Sequence, residues 1–123
     1  MEPVTKLAWV VLALIHAPPA AVTFAPGLVA RYGVAATGDV ALLLRHRGVL
    51  FLAVTAVCAL AAVEPSARRG ASVVVLMSVV GFLVVYARGG LPPGALRTVA
   101  MVDGIALAPS AWVAYAAWCR HAP

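Results

Sequence analysis

The sequence predicts an all-α fold, an integral membrane four-helix bundle, and three observations support this prediction. Of the 123 residues, 64% are hydrophobic and only 11% are charged, whereas a water-soluble domain is usually about half apolar and a quarter charged. Four apolar runs are each long enough to cross a hydrocarbon core of about 30 Å. Stretches rich in Gly, Pro and charged residues separate these runs, so each run is expected to form its own helix.

We predict a single transmembrane domain over residues 1–123. Its spans are expected at about 7–24, 40–63, 70–87 and 95–119. The first span contains Pro18 and Pro19. Each proline removes a backbone donor, so the helix is expected to kink or to end there.

The connections between the spans carry their own signals. Residues 25–38 are rich in Gly and Pro and are expected to form a loop with a short interfacial segment at about 28–32. Asp39 is expected to be the N-cap of the second span. That span should end at Glu64-Pro65, because a residue before proline resists helical geometry.

The number and positions of the charged residues indicate which partner to expect. Nine Lys and Arg against four Asp and Glu give a net charge of +5, which in a soluble protein would suggest nucleic acid. Here the charges lie between and at the ends of apolar runs, so the expected partner is the lipid bilayer and not nucleic acid. Cys58 and Cys119 have neither CxxC spacing nor a His at metal-ligand spacing, so neither a metal nor a cofactor is predicted. Frequent Ala, Val, Gly and Arg suggest a GC-rich bacterial source, and hence the bacterial inner (cytoplasmic) membrane.

Four spans put both termini on one side of the membrane, and we expect that side to be cytoplasmic. The cations on the terminal side are Lys6, Arg68, Arg69 and Arg120, and those on the other side are Arg31, Arg88 and Arg97. This orientation holds only if Arg45 and Arg47 are site residues rather than loop charges. An aromatic belt at one interface is expected from Trp9, Trp112, Tyr115 and Trp118.

Ionisable residues inside the spans define the candidate site. A charged residue at this depth costs about 2.5–3.5 kcal/mol and tends to face the bundle interior. At a rise of 1.5 Å per residue, His16, His46 and Asp103 each lie about 9–12 Å from the end of their span on the non-terminal side. Three different helices should therefore bring these residues to one depth.

We predict His46 and Asp103 as the proton-transferring pair, with His16 as a further catalytic or polar contact. Asp103 is expected to pair with His46 or with one of the arginines beside it. Arg45, His46 and Arg47 are consecutive and cover about 200° of the helix face, so at least one arginine should point away from the pocket. The predicted substrate-binding residues are Arg45, Arg47, Arg97 and Tyr86, with Tyr32 at the rim.

Structural explanations exist for the same residues. Asp103 with an arginine would serve as an ion pair that locks the second and fourth helices together. His16 beside two prolines would cap a free carbonyl. Arg45 and Arg47 would contact lipid phosphates. Small residues in the spans are expected to allow close helix packing, namely Gly48, Ala53, Gly81 and Gly104.

Several motifs around the candidate site form one pattern along the chain: Ile15-His16, Tyr32-Gly33, Leu44-Arg45-His46-Arg47 followed by Val49-Leu50-Phe51, then Phe82, and Arg97 with Asp103. This pattern resembles a family of small bacterial four-span membrane proteins labelled phosphopantetheine adenylyltransferase, over about residues 14–107. The resemblance implies the four-span fold and functional positions at His16, Arg45, His46, Arg47 and Asp103. The doubled proline at 18–19 and the loop at 89–94 depart from the family pattern. The activity in the label is not expected, because it needs a parallel α/β sheet and a phosphate-binding turn after a strand.

Two main hypotheses of function follow. The first is a membrane-embedded enzyme that rearranges a lipophilic small molecule by acid and base catalysis, as in an isomerisation, a cyclisation or a ring opening. The alternative is a subunit of an oligomeric small-molecule or proton-coupled transporter, in which a homo-oligomer is obligatory, or an accessory subunit of a larger membrane complex. A closed cavity within one chain that opens sideways to lipid favours the enzyme, whereas charges at a subunit junction favour transport or docking.

Overall fold

The computed structural model describes residues 1–35 and 37–120, and every regular element within these ranges is helical. The four α-helices are α1 (Glu2–Ala20), α2 (Asp39–Val63), α3 (Arg68–Arg88) and α4 (Ala95–Cys119). Short 3-10 helices follow α1 (Ala21–Thr23) and precede α3 (Pro65–Ala67). A longer 3-10 helix, here called the loop helix, covers Pro26–Tyr32 between α1 and α2.

All four α-helices are long and apolar enough to cross a bilayer. Their outward faces carry large apolar side chains, such as Leu14, Met77 and Ile105, each about two-thirds exposed or more. Exposing such apolar surfaces to water is unfavourable, whereas exposing them to lipid is not. The prediction of an all-α membrane bundle is therefore confirmed, and the chain is a multi-pass membrane protein.

The helix ends differ slightly from the predicted ones. The first helix begins at Glu2 and stays α-helical through Pro18 and Pro19 to Ala20, where a 3-10 turn takes over. Pro18 and Pro19 have no backbone N–H to donate, and the helix changes from α to 3-10 geometry directly after them. Asp39 is the first residue of α2 and Gly38 is its N-cap, so the carboxylate of Asp39 lies in the first turn without capping it.

Hydrogen bonds from two arginines join the helices at one end of the bundle. Arg68 donates to both carboxylate oxygens of Glu2, at 2.9 and 2.7 Å, and to the carbonyl of Ala61 at 3.0 Å. Arg69 donates to the carbonyl of Ala117 at 3.2 Å. The starts of α1 and α3 therefore meet the ends of α2 and α4 here. We call this the terminal end of the bundle and the opposite end the non-terminal end.

The four helices form a ring in which each packs against its sequence neighbours and α4 closes against α1. The centre is filled by small and apolar side chains, with Trp9, Leu12, Val75 and Val79 fully buried. Trp9 therefore lies in the core, and its expected place in an aromatic belt was wrong. Tyr115 and Trp118 are about half exposed on α4.

The loop helix covers the non-terminal end of the bundle. Its Val29 is fully buried and packs in a small cluster with Val22 and Ala41. Gly33 ends the loop helix with a left-handed φ of 71°, a conformation that costs glycine little. The segment expected to lie at the interface is thus a packed element that contacts the 3-10 turn after α1, α2 and α4.

Gly48 lets the end of α1 approach α2 closely. A Cβ atom at Gly48 would lie 2.5 Å from Oγ1 and 3.1 Å from the backbone nitrogen of Thr23. Gly81 and Gly104, also expected to serve packing, have open space where a Cβ would lie. Of these three glycines, Gly48 alone permits a close approach, at the place where the end of α1 and its 3-10 turn meet α2.

Candidate functional site

His16 is buried near the end of α1, with 1% of its surface exposed. Its Nδ1 lies 2.7 Å from the carbonyl oxygen of Leu12, one turn earlier. A carbonyl only accepts, so Nδ1 carries the proton and Nε2 carries the lone pair of the neutral ring; this tautomer is assigned from the hydrogen bond. Nε2 is buried and has no hydrogen-bond partner among the described residues. The ring therefore presents an unpaired basic nitrogen.

Arg47 on α2 is half-buried and is held by aromatic rings. Its guanidinium carbon lies 5.0 Å from the ring centroid of Phe51 and 5.2 Å from that of Phe82. The ring of His16 stacks on Phe51 as well, with 5.8 Å between centroids. Phe51 is therefore a shared contact of His16 and Arg47, and cation–π attraction stabilises the arginine without using its N–H donors.

Asp103 on α4 is buried, with 6% of its surface exposed. His16 and Arg47 are both near enough to interact electrostatically with its carboxylate. Neither forms a hydrogen bond or a direct ion pair with Asp103 in the described part of the chain. The direct ion pair that the structural explanation requires between α2 and α4 is therefore not formed among the described residues.

These three side chains share one cavity of about 210 Å³ at the non-terminal end. Its walls come from α1, α2, α4 and the loop helix, and most of the lining is apolar. The lining residues are Ile15, His16, Pro18, Pro19, Val22, Leu28, Arg31, Tyr32, Arg47, Phe51, Thr98, Val99, Val102 and Asp103.

Three lining residues of the cavity lie on the exposed surfaces of α1 and α4, which indicates an opening between these two helices. Pro18 of α1 and Thr98 and Val102 of α4 line the cavity and are also exposed, Val102 by 40%. An opening on this side is what the enzyme hypothesis expects for a molecule that enters from the bilayer.

The structure brings together His16, Arg47 and Asp103 from the predicted set. His46 and Arg45 lie on the exposed face of α2 and do not line the cavity. The expected pairing of His46 with Asp103 is therefore not what the structure presents, since His16 is the imidazole that shares the cavity with Asp103. The depth of His46 was counted along the helix, but its direction is outward.

Arg97 and Tyr86, also predicted as substrate-binding residues, line a different feature. They border an open groove between α3 and α4. The Tyr86 hydroxyl donates to the carbonyl of Pro92 at 3.0 Å, which ties α3 to the following loop. Tyr86 stacks on Phe82, so it touches a ring that also supports Arg47.

Sequence reasoning missed Arg31 and Phe51 as parts of the site. Arg31 had been counted only for membrane orientation, and Phe51 only as a flank of the Arg-His-Arg motif. A signal existed for Phe51, because it lies four residues after Arg47 and so shares its helix face. Arg31 had no such signal, since its position depends on how the loop helix folds back over the bundle.

The described residues contain no group of three or more His, Cys, Asp or Glu side chains placed to hold a metal ion. Cys58 is buried in the core and Cys119 is exposed on the surface, and neither lines the cavity. The polar part of the cavity is thus one imidazole, one carboxylate and two guanidinium groups, with the hydroxyls of Tyr32 and Thr98.

Comparison of the chain with family models, with curated proteins and with solved structures gives no significant match. Fold and site together define a class: a small multi-pass membrane protein with a mixed polar and apolar cavity inside a four-helix bundle.

Proposed function

We propose that this protein is a membrane-embedded acid/base enzyme that rearranges a lipophilic small molecule, as in an isomerisation, a cyclisation or a ring opening. The observation that carries the proposal is that His16, whose Nε2 has no hydrogen-bond partner among the described residues, lines one cavity together with Asp103 and Arg47. A base, an acid and an anion holder are the minimum equipment for moving a proton within a substrate.

The roles follow from the contacts. The Leu12 carbonyl accepts the Nδ1–H of His16, which leaves Nε2 as the basic nitrogen that accepts a proton from the substrate. Asp103, on the neighbouring helix α4, donates its own proton at a second position, and the proton held by His16 then passes to Asp103 so that both groups return to their starting states. Arg47 stabilises the oxygen on which negative charge develops in between. His16 thus takes the role predicted for His46, and the net reaction conserves all atoms.

The transporter hypothesis has one observation in its favour. Arg45 and His46 are exposed on α2 within a span, where charged groups are costly unless a lipid phosphate or a neighbouring subunit meets them. The cavity, however, is built within one chain and has a side opening, which favours an enzyme.

We place the protein in the bacterial inner membrane with its termini in the cytoplasm.

The experiment is deuterium incorporation. The purified protein is reconstituted into vesicles of total lipid extract in D₂O, and the lipid-soluble fraction is analysed by mass spectrometry. Proton removal by His16 and return by Asp103 should introduce deuterium into one class of compound or change its retention. His16→Gln and Asp103→Asn should each lower the rate at least about a hundredfold, the usual scale of a general acid or base. Both variants should remain folded in detergent.

His46→Gln is the matched control, since it removes an imidazole from the same depth but from the outer face. It should leave the rate within about twofold of the unaltered protein. Equal labelling by Asp103→Asn and the unaltered protein would remove Asp103 from the mechanism. Proton flux into dye-loaded vesicles that depends on Asp103, without labelling of any lipid, would favour the transporter.

A further inference from the structure

The guanidinium group of Arg47 lacks an acceptor. Two aromatic rings support it, at 5.0 and 5.2 Å, but no described residue accepts a hydrogen bond from its five N–H donors. Asp103 is near enough for electrostatic attraction yet makes no direct contact with it. A planar fork of donors at the wall of a cavity matches a flat, two-oxygen acceptor such as a carboxylate.

A second guanidinium group lines the same cavity. Arg31, at the end of the loop helix, is exposed at the mouth, whereas Arg47 lies deeper and is half-buried. In the proposed reaction His16 starts as the unprotonated base and Asp103 as the protonated acid, so the charges of the lining are those of Arg31, which is exposed, and Arg47, which leaves an excess of one positive charge inside the cavity. A bound group with a single negative charge balances this excess, which matters because an unbalanced charge is costly beside lipid.

The size and opening of the cavity restrict the ligand further. A volume of about 210 Å³ lies below the roughly 300–1,000 Å³ of pockets that enclose a whole drug-sized ligand. The side opening past Pro18, Thr98 and Val102 leads to lipid. An apolar chain attached to a bound headgroup therefore has a way out of the protein into the bilayer.

We propose that the substrate is a lipophilic carboxylic acid, whose carboxylate binds Arg47 with help from Arg31 while its apolar chain leaves through the gap between α1 and α4. The inference rests on the proposed function, since it names the substrate class of the same cavity. Because His16 and Arg47 both contact Phe51, proton removal by His16 is expected in the part of the substrate nearest the carboxylate.

The experiment is direct binding in a neutral detergent, measured by native mass spectrometry and by the shift in thermal unfolding. The probes are tetradecanoate, tetradecyl phosphate, tetradecanol and acetate. Tetradecanoate should bind at least about tenfold more tightly than tetradecanol, the scale of one charge-assisted hydrogen bond. Arg47→Gln should lose that preference, and Arg47→Lys should recover only part of it.

Arg45→Gln is the matched control, because it removes a neighbouring arginine from the exposed face of α2, and it should bind as the unaltered protein does. Equal binding of tetradecanol and tetradecanoate would overturn the proposal, as would an equal loss in Arg45→Gln and Arg47→Gln. Tighter binding of tetradecyl phosphate would assign the cavity to a phosphate amphiphile instead, and acetate as strong as tetradecanoate would assign it to a free anion. These comparisons on the unaltered protein do not depend on any variant folding.

The substrate class and the enzymatic activity are tested by different experiments, so either can be rejected without the other. Tetradecanoate bound by His16→Gln as tightly as by the unaltered protein supports the ligand class, whatever the labelling experiment shows. A preference for tetradecanoate without any deuterium incorporation would leave the ligand class in place and remove the enzyme. Deuterium incorporation into a neutral lipid alone would retain the enzyme and overturn the carboxylic acid.

Discussion

Phe51 contacts two nitrogen-bearing side chains of the site, His16 and Arg47. Its ring stacks on His16 and lies beneath the guanidinium group of Arg47. One residue of α2 thus contacts an imidazole from α1 and a guanidinium group from its own helix. Aromatic contact holds both groups in place without occupying Nε2 of His16 or the donors of Arg47.

At the scale of single residues, Gly48→Ala should be destabilising. The added Cβ would lie 2.5 Å from the Thr23 hydroxyl oxygen and 3.1 Å from the Thr23 backbone nitrogen, so the turn after α1 must shift. Overpacking of this kind costs about 1–3 kcal/mol. We expect a lower midpoint of thermal unfolding in detergent and weaker ligand binding at the neighbouring cavity.

Gly104→Ala supplies the comparison for this prediction. Gly104 is an exposed residue inside α4, and a Cβ there meets nothing within 4 Å. The change should be neutral or slightly stabilising, by up to about 1 kcal/mol, because alanine favours helix more than glycine does. Identical unfolding midpoints for both alanine variants would contradict the close approach at Gly48.

Depth could be predicted from the sequence, but direction could not. Counting along a helix gives the depth of His16, Arg47 and Asp103, because the rise per residue is constant. Which of Arg45, His46 and Arg47 faces inward depends on the rotation of α2. That helix is apolar on all sides, so its sequence lacks a polar stripe to reveal the rotation.

At the scale of elements, the loop helix shows what hydropathy patterns leave out. A stretch with Pro26, Gly27 and Gly33 predicts a loop, yet its Val29 is fully buried. The loop helix supplies Arg31 and Tyr32 to the cavity. Its packing comes from a contact between distant parts of the chain, which no local pattern encodes.

Val29→Ala should loosen this element while the membrane helices remain intact. Removing two methyl groups from a fully buried position costs about 1–3 kcal/mol. We expect faster amide hydrogen exchange over Pro26–Tyr32, with unchanged exchange in the middle of α3. Val40→Ala is the control, since Val40 is more than half exposed and the chemical change is the same. Equal exchange in both variants would show that Val29 does not hold the loop helix.

At the scale of the whole molecule, the four-helix fold was predictable because the bilayer dictates it. Apolar runs of this length must form helices in lipid, where every backbone donor needs a partner within its own segment. Four helices with short connections then alternate in direction. The sequence did not predict that Arg68 and Arg69 bind neighbouring helices. Their hydrogen bonds join α3 to α1 and to α4 at the terminal end of the bundle.

The alternating topology predicts which positions an impermeant maleimide reaches. Single cysteines are placed at Ser66, next to α3, and at Thr37, before α2, in a Cys119→Ser background; both positions are exposed. Cys58 is buried and should stay unlabelled. In intact spheroplasts only Thr37→Cys should react, and in inverted vesicles only Ser66→Cys. Labelling of both positions from one side would contradict four crossings, and the reversed pattern would place the termini outside.

The cavity lies near one end of the bundle, so the two membrane leaflets do not have equal access to it. Its gap between α1 and α4 lies near the non-terminal end, so only molecules dissolved in the adjacent leaflet reach His16 by lateral diffusion. Under the proposed function, a compound made in the opposite leaflet would have to flip across the bilayer before conversion. With the termini in the cytoplasm, the protein would therefore handle the outer monolayer alone, and the two monolayers would come to differ in composition.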